Sequence, residues 1–294
     1  MNRSPHDLAH MIQIPLTEIE RIATLDSTSL YRYERRQIGM KKRLLRIPRP
    51  VLRPILDAVK KLILDPMPLP PTMHGWRKKH SPKTYAKAHL RRSMVLNIDI
   101  QDFFPTVTGA KVYAFWTRAG FTPEAANLLT RLTVSDNQLP QGSPTSQAIG
   151  NHVLVLMDRR LNRLAQKTGS RHGMYGDEFS ISGRRRVERL KGLACRIVEQ
   201  EGFNANPEKI KPLARSERQE ITGIVVNRKP SPGRQEYRNL RAQIHNCLRY
   251  GPSSQNFTSH PNFRGHLLGR ISQFQHVNPK LGDQLRSEFN KIHW

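Results

Sequence analysis

The sequence predicts an α+β fold: a small antiparallel sheet with acidic residues gathered at one end, surrounded and followed by amphipathic helices. Three observations predict it. Residues 172–182 place Asp177 and Glu178 between two short β-forming runs, and Gly173 and Gly176 permit a tight strand-turn-strand there. Residues 94–100 alternate, with Met94, Leu96, Ile98 and Ile100 on one side and Val95, Asn97 and Asp99 on the other. Helical spacing recurs on both sides of these strands, as in Leu52, Ile55, Leu56, Val59, Leu62 and Ile63.

In chain order, residues 5–25 read as two short amphipathic helices broken at Pro15, either a small helical cap on the main body or a helix-turn-helix in outline. Tyr31 to Ile47 reads as a basic hairpin. Arg35, Arg36, Lys41, Lys42, Arg43 and Arg46 are interleaved there with Ile38, Leu44, Leu45 and Ile47, so that one face packs and the other meets phosphate. A helix is expected from about Val51 to Leu64, followed by a stiff proline-rich connector, Asp65 to Pro71. The connector leads to a basic segment that carries Arg77, Lys78, Lys79 and His89. After the strand ending at Asp99, helices are expected at Gly109 to Arg118 and Pro123 to Thr133. The Gly/Pro loop from Gln138 to Ser146 feeds a helix to about Gln166; it suits a phosphate-bearing ligand or is an ordinary loop with a serine cap. Beyond the acidic hairpin come a helix from Val187 to Glu201 closed by Gly202, a loop and strand from Phe203 to Lys211, and a strand from Ile221 to Asn227. The remainder is helical and basic, with Arg228 to Gly233 as the boundary. The expected division is 1–28 as N-terminal cap, 29–227 as the main body and 228–294 as a helical unit.

Composition narrows the partners. Lys+Arg number 49 against 23 Asp+Glu, a formal +26 spread along the chain, and a polyanion is the economical partner. No apolar run approaches the roughly 20 residues that span a bilayer, and the start lacks the apolar core of a signal peptide, so no membrane is expected. Two distant cysteines exclude a disulfide framework and fit a reducing cytoplasm; the twelve histidines show no ligand spacing.

The acids carry the chemistry. Adjacent carboxylates repel, and an acid ending an apolar strand is costly to bury unpaired. If the strand of Asp99 lies beside the hairpin, Asp99, Asp177 and Glu178 converge as an all-oxygen site. Hard oxygen ligands select Mg²⁺, with Mn²⁺ possible, over zinc.

Taken in order, Asp99 with Phe103-Phe104-Pro105, then Leu139-Pro140-Gln141-Gly142-Ser143-Pro144-Thr145-Ser146, then Tyr175-Gly176-Asp177-Glu178 resemble the palm motifs of reverse transcriptases, with the nearest likeness to the bacterial retron class. Ser81 through His89 resembles that class's Asn-Ala-x-x-His segment, and Ile221-Thr222-Gly223 its Val-Thr-Gly strand. The likeness runs from about Tyr31 to Asn227. It implies a right-hand polymerase with fingers and palm over 29–227 and a thumb over 228–294, an RNA-directed DNA polymerase (nucleotidyltransferase) working by two-metal transfer. Asp99, Asp177 and Glu178 fall on the catalytic, metal-binding carboxylates. Ile100, Phe104, Gln141 and Gly142 fall around the nucleotide, with Phe104 barring a ribose 2′-OH. Arg43, Arg46 or a neighbouring lysine grips the triphosphate, and Lys209 either nears the leaving phosphates or makes a structural salt bridge. The implied partners are dNTPs, a cognate structured non-coding RNA, with Arg77, Lys78, Lys79 and His89 as its expected contacts, its RNA-linked DNA product, and a separate effector protein in antiviral defence, in the bacterial cytoplasm.

Two departures stand out. Gly176 and Glu178 replace Ala and the last Asp of the usual Tyr-Ala-Asp-Asp, and Tyr85 replaces the Asn of Asn-Ala-x-x-His. The longer Glu178 side chain displaces the carboxylate, and an error of about 1 Å can cost on the order of 10²-fold in rate. The rival expectation is therefore a polymerase-fold RNA-binding scaffold without turnover, or another stand-alone bacterial reverse transcriptase.

Overall fold

The computed structural model describes residues 2–38 and 41–294. Ser4 opens α1 (Pro5–Ile12) with a reciprocal capping box: its hydroxyl accepts from the Asp7 N–H, and the Asp7 carboxylate accepts from the Ser4 N–H. After α2 (Leu16–Ala23), Asp26 caps the short α3 (Ser27–Leu30). Leu8, Ile12, Ile19, Ile22 and Leu30 join the same apolar core as the central sheet, so these helices pack onto the main body. β1 (Tyr31–Ile38) and β2 (Lys41–Pro48) form the expected antiparallel hairpin, from Tyr31 opposite Pro48 to Ile38 opposite Lys41. Its tip at 39–40, and the side chains of Ile38 and Lys41, lie outside the described residues.

The helix expected from Val51 divides. α4 (Arg53–Ala58) passes into a π-helical turn, Val59–Leu64, whose wider winding lets Val59, Ile63 and Leu64 all face the core. The proline-rich connector then runs beside the acidic hairpin, with Met174 N–H donating to Thr72 O and His74 N–H to Met174 O. Ser81 caps α5 (Pro82–Ala88) through a capping box with Thr84.

The central sheet is antiparallel. β3 (Met94–Asp99) is followed by α6 (Phe103–Thr106), α7 (Gly109–Arg118), α8 (Pro123–Thr133) and α9 (Ser146–Lys167). β4 (Arg171–Tyr175) and β5 (Glu178–Gly183) are the acidic hairpin; a 3₁₀ turn, α10 (Lys191–Gln200) and β6 (Lys211–Ala214) follow. The spatial order is β4-β5-β3-β6, and Asp99 lies directly opposite Glu178. One face carries Leu96, Ile98, Phe179 and Ile181 in the main core. The other is also covered, because Val95 packs with Tyr85, Ala86 and Ile221.

The single strand expected at Ile221 to Asn227 is instead a hairpin, β7 (Glu220–Ile221) and β8 (Ile224–Val225), with β9 (Ser231–Pro232) on its far side. Thr222 and Gly223 both sit at positive φ, 45° and 78°, the pattern of a primed two-residue turn that reverses the chain. α11 (Arg234–Tyr250), α12 (Phe263–Val277) and α13 (Pro279–Phe289) enclose a separate core built on Leu240, Ile244, Leu267, Ile271 and Phe289. Among the described residues, no helix is long and apolar enough to cross a membrane.

Candidate active site

Antiparallel pairing assembles the acids. The β4–β5 turn is two residues long, Gly176 and Asp177, and Gly176 takes φ 63°, a backbone open to glycine at little cost. Ile100 N–H donates to Asp177 O at 3.0 Å, which ties this turn to the end of β3. Asp99, Asp177 and Glu178 are thereby gathered at one end of the sheet. Asp99 and Glu178 line one side of an open cleft of about 470 Å³ together with Lys209, Lys211, Arg218 and Thr222.

The electrostatics of the acids are those of a cluster only partly compensated by nearby cations. Burial, then repulsion from Asp99, raises the Asp177 carboxyl above its usual range, while Lys209 and Arg43 draw it back. Burial raises Glu178 to about 7; the Thr222 backbone N–H opposes this, and Asp99 and Asp177 add to it. Glu178 Oε1 is buried without a hydrogen-bond partner. Asp99 is engaged by Lys209, Nζ to Oδ2 at 2.9 Å. Among the described residues no three His, Cys, Asp or Glu side chains are gathered closely enough to hold a metal ion as they stand. The expected three-carboxylate site is thus assembled in the backbone but not closed in the side chains. The donor set still fits a hard cation: oxygen donors, one of them orphaned, with Asp177 and Glu178 both raised in proton affinity by burial and by their acidic neighbours.

The expected nucleotide-side residues divide by burial. Phe104 is half-buried, whereas the Ile100 side chain is 1% exposed and offers only backbone. The loop of Gln141 and Gly142 is bound to β2: Arg46 N–H donates to Gln141 O at 2.7 Å, and a Cβ on Gly142, which has φ 116°, would meet Arg46 O at 3.1 Å. The Arg46 side chain is buried, pairs with Asp136 at 3.1 Å and lies over the Tyr33 ring. Arg43 is exposed, and its charge reaches Asp177. Lys209 ends a 3₁₀ turn, Pro207–Lys209, just before β6 rather than lying on the strand.

Of the expected RNA contacts, Lys78 and Lys79 are exposed. Arg77 is tied into the connector through the carbonyls of Pro70 and Met73. His89 is corrected: it is fully buried, its Nδ1 bonded to Ser182 Oγ at 2.7 Å, because α5 turns that face onto the back of the sheet. Tyr85 is buried beside it and donates to Ser180 Oγ, which donates in turn to Asn97 Oδ1. This chain braces β5 two residues from Glu178, and the alternation of Asn97, Ser180 and Ser182 was its only signal in the sequence.

Sequence reading also missed Trp76. Its ring lies against Gly176, Gly150, Phe103 and Phe104. The conjunction of Gly150 and Gly176 around one indole becomes visible only once the chain is folded.

Residues 34–226 match the protein family described as reverse transcriptase (RNA-dependent DNA polymerase). The retron Mx65 reverse transcriptase of Myxococcus xanthus is 34% identical, over 83% of this chain and 60% of its own length. The retron Ec86 reverse transcriptase of Escherichia coli is 28% identical, over 98% of this chain and 88% of its own. The chain thus spans about three fifths of the first relative and most of the second. Among solved structures, telomerase from Candida albicans in complex with a fragment of telomeric RNA aligns at TM-score 0.54 and 10% identity, over 93% of this chain and 65% of that one. That likeness supports a right-hand polymerase fold.

Proposed function

Because the chain belongs to the reverse transcriptase family, we propose that it is an RNA-directed DNA polymerase of retron type, with fingers and palm over 29–227 and a thumb over 228–294. The observation that carries this reading is the pairing of Asp99 with Glu178 beside Asp177, in a chain of net charge +26. Three acids gathered at one cleft of so basic a protein, answered there by Lys209 alone through an ion pair to Asp99 among the described residues, serve a cation and a polyanion together.

Asp99, Asp177 and Glu178 would hold Mg²⁺ or Mn²⁺, which lowers the pKa of a primer hydroxyl and neutralises charge on the leaving pyrophosphate. For Asp99 to take part, its carboxylate leaves Lys209, whose freed ammonium faces the same cleft and can meet a phosphate. Arg43 is an exposed cation whose field, like that of Lys209, reaches Asp177, and it would grip a triphosphate. Arg46 instead fixes the Gln141–Gly142 loop. Phe104 meets the sugar and disfavours a ribose 2′-OH. Lys78 and Lys79 contribute to the basic surface for RNA. Likeness to the retron enzymes supports a cognate structured RNA as template, an RNA-linked DNA product, and antiphage defence with a separate effector in the bacterial cytoplasm.

A second reading, a polymerase-fold RNA scaffold without turnover, rests on the Asp99–Lys209 pair and on the open side-chain arrangement of the acids. Primer extension on an RNA template with Mg²⁺ or Mn²⁺ separates the two. Synthesis that is lost in Asp99→Asn, with RNA binding retained, is the enzyme's signature. If neither the natural protein nor Glu178→Asp extends a primer, even on the RNA co-purified with it, the scaffold reading stands. Extension by Glu178→Asp alone would mean that Glu178 silences a competent fold.

A further inference from the structure

The aromatic side chain packed on the acidic turn, Trp76, belongs to none of the acidic or Gly/Pro motifs. Trp76 has φ 53°, a left-handed conformation that a bulky residue adopts rarely and only when its surroundings over-determine it. Those surroundings are of three kinds. A Cβ on Gly176, in the turn that carries Asp177, would lie 2.8 Å from the indole Cζ2. A Cβ on Gly150, in the helix that follows the Gln141–Gly142 loop, would meet Trp76 Cζ3 at 3.4 Å. The Phe104 ring is tilted against the indole at 5.3 Å between centroids, and the Phe103 ring stacks on it at 6.0 Å.

The backbone beside Trp76 is locked as well. Asn151 Nδ2 donates to Gly75 O at 2.9 Å, and a Cβ on Gly75 would overlap Gly176 N. The indole therefore touches the acidic turn, the helix behind the nucleotide loop and the Phe104 ring at once. Phe104 is only half-buried, and two rings pack on it, the indole of Trp76 and the ring of Phe103. Removing the indole takes away one of these two supports.

We propose that Trp76 is a specificity-determining positioning residue, holding the Phe104 ring against the sugar of the incoming nucleotide and tying its place to the acidic turn. This rests on the polymerase reading above. It assigns sugar discrimination to a pair, Trp76 with Phe104, rather than to Phe104 alone.

The test is single-nucleotide primer extension on an RNA template, with kcat and KM measured for a dNTP and the matching rNTP. The natural protein is compared with Trp76→Ala, Trp76→Phe, Phe104→Ala and the double variant Trp76→Ala/Phe104→Ala. Trp76→Ala is expected to lower the dNTP-over-rNTP ratio of kcat/KM by about tenfold or more, chiefly by admitting rNTP. Trp76→Phe, which keeps a ring, should lie between it and the natural protein. The double variant should discriminate no worse than Phe104→Ala, since the two residues act as one unit. A Trp76→Ala protein that loses dNTP and rNTP incorporation equally, keeping the ratio, overturns the inference and leaves a merely structural tryptophan. If Trp76→Ala does not fold, an unchanged ratio in Trp76→Phe overturns it equally. Absence of synthesis with either nucleotide by both the natural protein and Glu178→Asp, on the co-purified RNA as well, would sink the polymerase reading itself, a distinct result.

Discussion

Trp76 and Gly176 are complementary: the indole occupies the space that a Cβ at residue 176 would need, with Cζ2, Cε2 and Cη2 all within 3.1 Å of that position. The departure from the usual Ala is therefore a packing requirement of this chain. Gly176 also sits at φ 63°, where an L side chain costs roughly 1–2 kcal/mol. Restoring the family residue with Gly176→Ala should destabilise the protein by about 1–3 kcal/mol. Denaturant unfolding measures it, and a variant as stable as the parent would show that the contact is loose.

Arg43 and Arg46 lie on one strand yet should behave oppositely. Arg46→Ala removes a buried guanidinium that pairs with Asp136 and leaves Tyr33 uncovered, so stability should fall by about 1–3 kcal/mol. Arg43→Ala removes an exposed side chain and should change stability by less than about 0.5 kcal/mol while raising KM for dNTP. Equal effects on unfolding, or an unchanged KM in Arg43→Ala, would count against the division of roles.

Lys209 competes for Asp99. The ion pair is more than half exposed on its lysine side, so solvent screening limits it to about 1 kcal/mol. Lys209→Met should therefore lower the Mg²⁺ concentration for half-maximal synthesis by up to about fivefold, while weakening dNTP binding. A Mg²⁺ titration of primer extension reads this directly, and a higher Mg²⁺ demand would mean that Lys209 helps rather than hinders the site.

Burial, with the nearby charge of His172 next, lowers His89 from 6.5 to about 3. Its folded-state proton affinity is the weaker, so between about pH 6.5 and 3 the unfolded chain binds the proton that the folded ring refuses. Stability should fall as pH drops through that window, at up to about 1.4 kcal/mol per unit from this group. His89→Gln should flatten the slope of unfolding free energy between pH 6.5 and 5 relative to the parent. An unchanged slope would assign the acid sensitivity to other histidines, such as His74, which burial lowers to about 4.

Local order was legible because short-range physics sets it. The alternation of β3, the tight turn between Tyr175 and Glu178, and the helices at Gly109–Arg118 and Pro123–Thr133 follow from periodicity, turn residues and caps within a few positions. The pairing of Asp99 with the acidic hairpin was legible too, since an acid ending an apolar strand needs company. What the sequence could not decide was which face each side chain meets. His89 and Tyr85 look like parts of a basic RNA-facing segment, yet α5 turns them onto the back of the sheet, where Val95 makes a second apolar layer. Arg43 and Arg46 are indistinguishable by type, and it is Arg46 whose buried side chain meets Asp136 and the Tyr33 ring in the folded chain. Thr222–Gly223 reads as the middle of a strand until β8 folds back on β7. The sequence by itself determined the acidic strands of the central sheet, the helices around them and the acids that belong together. Tertiary structure alone placed Trp76 among Gly176, Gly150 and Phe104, because those contacts join segments distant in the chain, and no local pattern encodes the space between them.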